Sequence, residues 1–175
     1  MKEKGKIRAI GITECFGVDR GHAMLQRALD DDAYDIIMVG FNILNSSARD
    51  RVLHKAQKNN VGVLDMFAVR RALRDVQALT AYLNTRIEAG ELDDSAASLV
   101  DVVRACLDSK QCATLTELAY RYCLSEGGID CILSGTGSVE HLRENIASIE
   151  KGPLPVEVVA ALETVTAGWD HLSAQ

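Results

Sequence analysis

The amino-acid sequence predicts an α/β fold built on a parallel sheet. Short β-branched, apolar runs alternate with longer segments of helical periodicity along most of the chain. The runs are apolar almost throughout rather than alternating, the pattern of strands covered on both faces. The segments joining them are too long for hairpins, so successive strands run parallel through right-handed crossovers.

The first strand is expected over residues 7–13. Met24, Leu25, Ala28 and Leu29 then place an apolar stripe on a helix over residues 21–29. The second strand is expected over 36–41 and the third over 62–67. Between them, Ser47 is the expected N-cap of a helix carrying Val52, Leu53 and Ala56 and reaching Lys58, with Asn60 in the turn. One long helix over 71–89 follows, closed by Gly90. A second begins at Asp94 or Ser95 and reaches Leu107, and a third, over 114–125, stops at Gly127 and Gly128. Residues 129–133 form the fourth strand, and Ser138 caps a helix that reaches Ile149. Pro153 and Pro155 break the chain before a last helix over 156–165.

A chain of 175 residues, 47% hydrophobic and 25% charged, suits one globular domain. The net charge of −6 argues against non-specific binding to nucleic acid or to an anionic membrane. No apolar stretch approaches the roughly 20 residues of a membrane span, and the basic start MKEKGKIRAIG lacks the apolar core of a signal peptide. The five cysteines are scattered, odd in number and without a CxxC pair, which leads us to expect a reducing, cytoplasmic setting. His22, His54, His141 and His171 share no ligand spacing with them, so no metal site is expected.

Ligands of parallel α/β folds bind beyond the carboxyl ends of the strands. Residues 13–17, 42–45, 67–71 and 134–138 occupy that position. In the last, a strand runs through Ser134-Gly135-Thr136-Gly137-Ser138 directly into a helix. Small residues let backbone N–H groups approach a phosphate, and the helix start adds positive partial charge. The alternative is a plain glycine-rich turn with Ser138 as a cap. No lysine follows the glycines, so the segment is not a P-loop, and its spacing is not that of the GxGxxG fingerprint. Arg70, Arg71 and Arg74 follow the third strand, and guanidinium groups suit phosphate geometry. Phosphate binding and a solvated helix start stay open for Arg70 and Arg71, and the solvated start is expected for Arg74. Among carboxylates, Glu14 ends the first strand, while Asp65 lies inside the third, where burial without a partner is costly. Cys15 sits at a strand end with no histidine placed to activate it, Cys131 is expected to be buried, and Tyr120, Tyr122 and Trp169 are expected to pack on helices.

Four strand–helix units do not close a barrel of eight strands and about 250 residues. The chain is therefore either a small open sheet complete in itself or half a barrel with two unpaired edges.

Four stretches resemble the aldo-keto reductase family, in order along nearly the whole chain. Residues 3–13, EKGKIRAIGIT, resemble the entry to that barrel's fifth strand. Residues 34–42, YDIIMVGFN, are similar to the sixth strand, and residues 60–66, NVGVLDM, to the seventh. Residues 132–145, ILSGTGSVEHLREN, resemble the eighth strand, its cofactor loop and the following helix. The resemblance implies the C-terminal half, strands five to eight with their helices, of a (β/α)8 barrel that moves hydride between a carbonyl or alcohol and NADP(H), with NAD(H) a second possibility.

The resemblance assigns roles position by position. Thr13 and Glu14 stand where the family places a Ser–Asn pair on the nicotinamide carboxamide, although a carboxylate can only accept hydrogen bonds. Met38 replaces a glutamine, and Met66, next to Phe67, stands where many members stack a tyrosine on the nicotinamide. Gly135, Thr136 and Gly137, with Ser138, match the loop around the adenosine phosphate. His141 replaces an arginine used on the 2′-phosphate, for which Arg70 or Arg71 would compensate, and Asn145 matches an adenine contact. The family's catalytic Asp, Tyr, Lys and His belong to its first four strands, so this chain is expected to be one partial domain over residues 1–175, a fragment inactive alone. Its expected partners are the dinucleotide and either the missing N-terminal half or a second copy. A non-catalytic half-barrel that binds a nucleotide or a protein is the alternative.

Overall fold

The computed structural model describes residues 1–175. Four parallel strands lie in sequence order: β1 (Gly11–Thr13), β2 (Ile36–Gly40), β3 (Gly62–Met66) and β4 (Cys131–Ile132). Helix α1 (Ala23–Asp30) joins the first two. A π-helical turn, Arg49–Leu53, leads into α2 (His54–Lys58) before β3. A 3-10 turn (Arg71–Leu73), α3 (Val76–Glu88), a second 3-10 turn (Asp94–Ala97), α4 (Ser98–Asp108) and α5 (Leu115–Leu124) separate β3 from β4. Helices α6 (Val139–Glu150) and α7 (Val156–Thr166) follow.

The register gives the sheet two unlike faces. Thr13, Met38, Leu64 and Cys131 form one row across all four strands, and Ile12, Ile37 and Val63 form the neighbouring row on the other side. Ile37, Val39 and Val63 are at most 1% exposed and join the helices in the core. Thr13 and Cys131 are exposed, with Met38 and Leu64 half-buried between them. The helices thus cover one face, and the other is open except at its carboxyl end. There Phe16 lies over Gly40, whose absent Cβ would stand 2.6 Å from the Phe16 ring.

The outer strands are shorter than their composition suggests. β1 begins at Gly11, leaving residues 1–10 exposed, and β4 holds only Cys131 and Ile132. Each has one neighbour, so apolar residues beyond the shared hydrogen bonds have nothing to pair with. Cys131, expected to be buried, is exposed for the same reason.

Local chemistry moves three helix boundaries. Ser47 caps no helix, because its hydroxyl is drawn to Asn45 Oδ1 at 2.6 Å. The helix expected over 71–89 is two elements, because Asp75 is extended at φ −157 and accepts from Ala78 N at 2.7 Å as the cap of α3. Asp93 holds Ser95 N at 2.9 Å and starts the 3-10 turn before α4. Ser138 caps α6 as the sequence implies. Trp169 falls beyond α7 rather than on a helix.

Candidate functional site

The carboxyl ends of β1, β2 and β3 meet in a small aromatic mouth. Phe16 and Phe67 lie with ring centroids 5.9 Å apart. The Arg70 guanidinium stands 4.0 Å from the Phe67 centroid, a cation–π contact that fixes the arginine over this mouth. Phe67 has φ +78, a left-handed conformation uncommon for so bulky a residue and the kind of strain held where surroundings dictate geometry. Its carbonyl accepts from Asn42 Nδ2 at 3.2 Å, tying the loop after β2 to that after β3. Thr13 is exposed at the rim and donates to Met38 Sδ at 3.7 Å, while Met66 is buried.

Glu14 is turned away from this mouth. It is 4% exposed, and both carboxylate oxygens are engaged. Oε1 accepts from Gly40 N at 2.6 Å, and Oε2 lies 2.8 Å from His22 Nδ1. His22 Nε2 meets Ser47 Oγ at 3.0 Å. Asn45 fixes the direction of this chain. Its Nδ2 donates to the Asp170 and Leu172 carbonyls, both at 3.1 Å, so its Oδ1 is the acceptor for Ser47. With the Ser47 proton committed to Asn45, Ser47 Oγ faces His22 Nε2 as an acceptor, and His22 lies buried between Ser47 and Glu14. His22 is missed by sequence reasoning: it stands eight residues from Glu14 in a left-handed turn at φ +60, and no motif announces it.

A second feature lies beside β4. A cleft of about 680 Å³ runs between the start of α6, the start of α5 and the turn after β3. Gly135, Thr136, His141 and Asn145 line it on one side, and Thr114, Thr116, Tyr120 and Arg74 on the other. An added Cβ at Gly135 or Gly137 would meet nothing within 4 Å, so the protein leaves that approach to the backbone free. The loop is braced by its own hydroxyls: Thr136 Oγ1 accepts from Ser138 N at 3.1 Å, and Ser138 Oγ from His141 N at 3.3 Å. Asn145 donates to Ser134 Oγ at 2.9 Å, and the Tyr120 hydroxyl meets the same atom at 2.9 Å.

The charges of this cleft differ from the sequence expectation. Arg74 lines it, whereas Arg71 faces a separate shallow groove with Tyr82 and Gln175, and Arg70 covers Phe67. Lys151 and Glu117 sit at the cleft floor, 2.7 Å apart, with Arg121 on the other Glu117 oxygen at 3.2 Å. Burial pushes the Glu117 carboxyl up, but the Lys151 ammonium, the Ala113 N–H and Arg121 outweigh it and hold the group below its usual range.

The tail closes the outer rim. Arg20 donates to the His171 carbonyl at 2.6 Å, Ala72 N to Ala174 O at 3.1 Å, and the Tyr82 hydroxyl accepts from Ala174 N at 3.2 Å. Residues 170–174 therefore strap the loops that follow β1, β2 and β3. No group of three or more His, Cys, Asp or Glu is arranged to hold a metal, and no helix is long and apolar enough to cross a membrane.

Comparison with known proteins bears on this geometry. A family model described as the aldo/keto reductase family matches residues 1–167. An NADH-specific methylglyoxal reductase of Escherichia coli is 25% identical over 154 residues, which cover 85% of this chain and 46% of that protein. The apo and holo structures of an aldo-keto reductase from Bacillus halodurans superpose with TM-scores of 0.66 and 0.67 at 20% identity. They cover 94% of this chain and 53% and 52% of theirs. The chain thus spans about half the length of the relatives it matches, and its sheet corresponds to part of their (β/α)8 barrel.

Proposed function

The chain belongs to the aldo/keto reductase family, and from that premise we propose that it is the cofactor-holding part of an oxidoreductase, gripping a nicotinamide dinucleotide along its strand ends. The observation that carries the reading is the free backbone approach at Gly135 and Gly137, beside the start of α6 and within the Arg74–Lys151 cleft. Thr136, Ser138, His141 and Asn145 would line the adenosine end. Thr13, Met66 and Phe67 would flank the nicotinamide end, with Arg70 above it. The fit at Glu14 is poor: with both oxygens engaged, it positions the ends of β1 and β2 and touches no carboxamide. A bound dinucleotide would supply the hydride; this chain would orient it.

NADP(H) is favoured by Arg74, which lines the cleft and has only an exposed pair with Asp75 to exchange for a 2′-phosphate, whereas Lys151 is already held by Glu117. NAD(H) is favoured by the histidine at position 141 and by the named specificity of the Escherichia coli relative. The test is a fluorescence titration of NADH and NADPH. Both are expected to bind, and Gly135→Val to abolish binding without loss of folding, because the new side chain meets no protein atom. Arg74→Ala is expected to weaken NADPH by about 1.5–3 kcal/mol and NADH by less, the range for hydrogen bonds to a charged group. Unchanged affinity in Gly135→Val removes the loop assignment. Equal losses for both dinucleotides in Arg74→Ala remove the 2′-phosphate role.

A further inference from the structure

We propose that Cys106 and Cys112 form a reversible disulfide across the turn between α4 and α5, a modification site that stiffens the wall of the cleft beside β4. The inference does not depend on the dinucleotide reading. It begins with the way α4 ends. The Gln111 N–H returns to the Cys106 carbonyl at 3.2 Å and the Lys110 N–H to that of Leu107 at 3.0 Å, the paired bonds of a Schellman turn. Lys110 is the left-handed residue that this turn needs, at φ +60. The Ser109 hydroxyl also donates to the Cys106 carbonyl, at 3.0 Å. A chain reversed in this way comes back over the last turn of its helix, so Cys112 returns to Cys106. The two side chains are buried in one core, 4% exposed at Cys106 and 2% at Cys112, and their thiols share a hydrogen bond. Cys123 donates instead to the Phe41 carbonyl at 3.7 Å, and Cys15 and Cys131 are exposed.

A guanidinium stands against the pair. Arg121 Nη1 donates to Cys112 Sγ at 3.5 Å and to the Gln111 carbonyl at 2.7 Å. Burial pushes both thiols up, Cys112 to about 12, so the resting pair is protonated and slow to react. The turn above it is exposed from Asp108 to Gln111, and Ala113 and Thr114 are exposed on the far side of Cys112. Local opening of this turn admits an oxidant and lifts the burial that holds the thiols protonated, while Arg121 favours the thiolate. With oxidised glutathione as the oxidant, the Cys112 thiolate attacks one sulfur and releases a glutathione thiolate. The Cys106 thiolate then attacks Cys112 Sγ and expels the second. Each glutathione leaves with one of the two protons, and together they take up the two electrons lost by the cysteine sulfurs.

Cys112 is continuous with the cleft. The next residue, Ala113, donates its N–H to Glu117 Oε2 at 3.1 Å, and Thr114 caps α5 by accepting from Glu117 N at 3.0 Å. Ala113, Thr114 and Glu117 all line the cleft, and the same Glu117 oxygen holds Lys151 at 2.7 Å. Bonding Cys112 Sγ to α4 therefore ties the start of α5 and the cleft floor to a second helix.

The native chain is to be incubated with oxidised glutathione, quenched by alkylation and mapped by mass spectrometry, with amide exchange followed before and after. A peptide joining Cys106 to Cys112, lighter by two hydrogens, is expected, with Cys123 unmodified and the bridge reversed by dithiothreitol. In the bridged form the Gln111 and Ala113 amides should exchange about tenfold more slowly, and the urea midpoint should rise. Cys112→Ser and Cys106→Ala each substitute one small side chain for another, and both should abolish the bridge and the two changes that accompany it. Glutathione on the exposed Cys15 and Cys131 with Cys106 and Cys112 still free would overturn the proposal. So would a bridge that forms only in urea, because it would belong to the unfolded chain. A bridge with unchanged exchange at Ala113 would overturn its hold on the cleft.

Discussion

Asp65 shows how one side chain constrains the sheet. It faces the helices from β3, fully buried, with Oδ1 accepting from Phe41 N at 3.1 Å and Oδ2 without a partner. Burial pushes its carboxyl well above the usual range, against the lesser pull of Cys123 and the Phe41 N–H. The native state therefore holds a proton that the unfolded chain releases near pH 4. Stability is greatest below that value and falls as pH rises toward the raised native pKa. Asp65→Asn should flatten this slope and stabilise the protein at neutral pH, as read by urea midpoints at pH 4, 6 and 8; an unchanged slope would show that Asp65 does not cause it. Glu14 presents the reverse case, a buried carboxylate with a partner on each oxygen. Glu14→Ala strands His22 in the interior and orphans Gly40 N, so a loss of about 3–5 kcal/mol is expected, the range for breaking a buried pair. A change below about 1 kcal/mol would mean that these buried contacts do not hold the ends of β1 and β2 together. The sequence places both carboxylates on strands, but it conceals their partners. Asp65 could as well have faced an arginine, and the Glu14–His22–Ser47 chain depends on loop geometry that no periodicity encodes.

The elements were legible wherever a local signal governed them. Ser138 caps α6 and Thr114 caps α5 because each hydroxyl accepts from the N–H three residues on. The signals failed where a distant group competed. Ser47 was drawn off by Asn45 and His22, and the arginine turn after β3 was split by Asp75. That split leaves Arg74 solvated before α3, as read from sequence, at the rim of the cleft beside the glycine loop. The tail was invisible for a related reason. Residues 170–175 have no helical or strand periodicity, yet Leu172 and Ala174 are buried and the carbonyls of Asp170 and Leu172 hold Asn45. Removing residues 170–175 exposes the pocket of Leu172, whose burial contributes about 1.5–3 kcal/mol, and leaves the Asn45 amide unsatisfied at about 1–3 kcal/mol. A fall of about 3 kcal/mol or more in unfolding free energy is expected from urea titration. An unchanged midpoint would show that the strap is decoration on loops that hold themselves.

At the scale of the molecule, the parallel four-stranded plan was readable because each strand is a buried apolar run bounded by turn residues, and the family resemblance supplied the order. The extent of the edge strands was not readable, since composition says which residues can pair and only a neighbour decides which do. The same open architecture bears on catalysis. Reducing a carbonyl by hydride needs a proton donor within hydrogen-bond reach of the oxygen and with a suitable pKa. The mouth over Met66 and Phe67 offers little of that kind. His22 is 0% exposed and locked between Glu14 and Ser47. The Tyr120 hydroxyl is bound to Ser134 across the other cleft. Tyr122 is buried beneath the sheet, and burial pushes its phenol up to about 12. Thr13 remains, and a hydroxyl of that kind is too weak an acid to protonate an alkoxide at a useful rate. The chain alone is therefore expected to bind NADH or NADPH and yet to oxidise neither above background with methylglyoxal or another aldehyde, followed by the loss of absorbance at 340 nm, the dinucleotide's own band. Turnover abolished by Thr13→Val would restore a proton donor to this half of the barrel. Binding without turnover, retained in the same variant, would show that no side chain of this mouth supplies the acid.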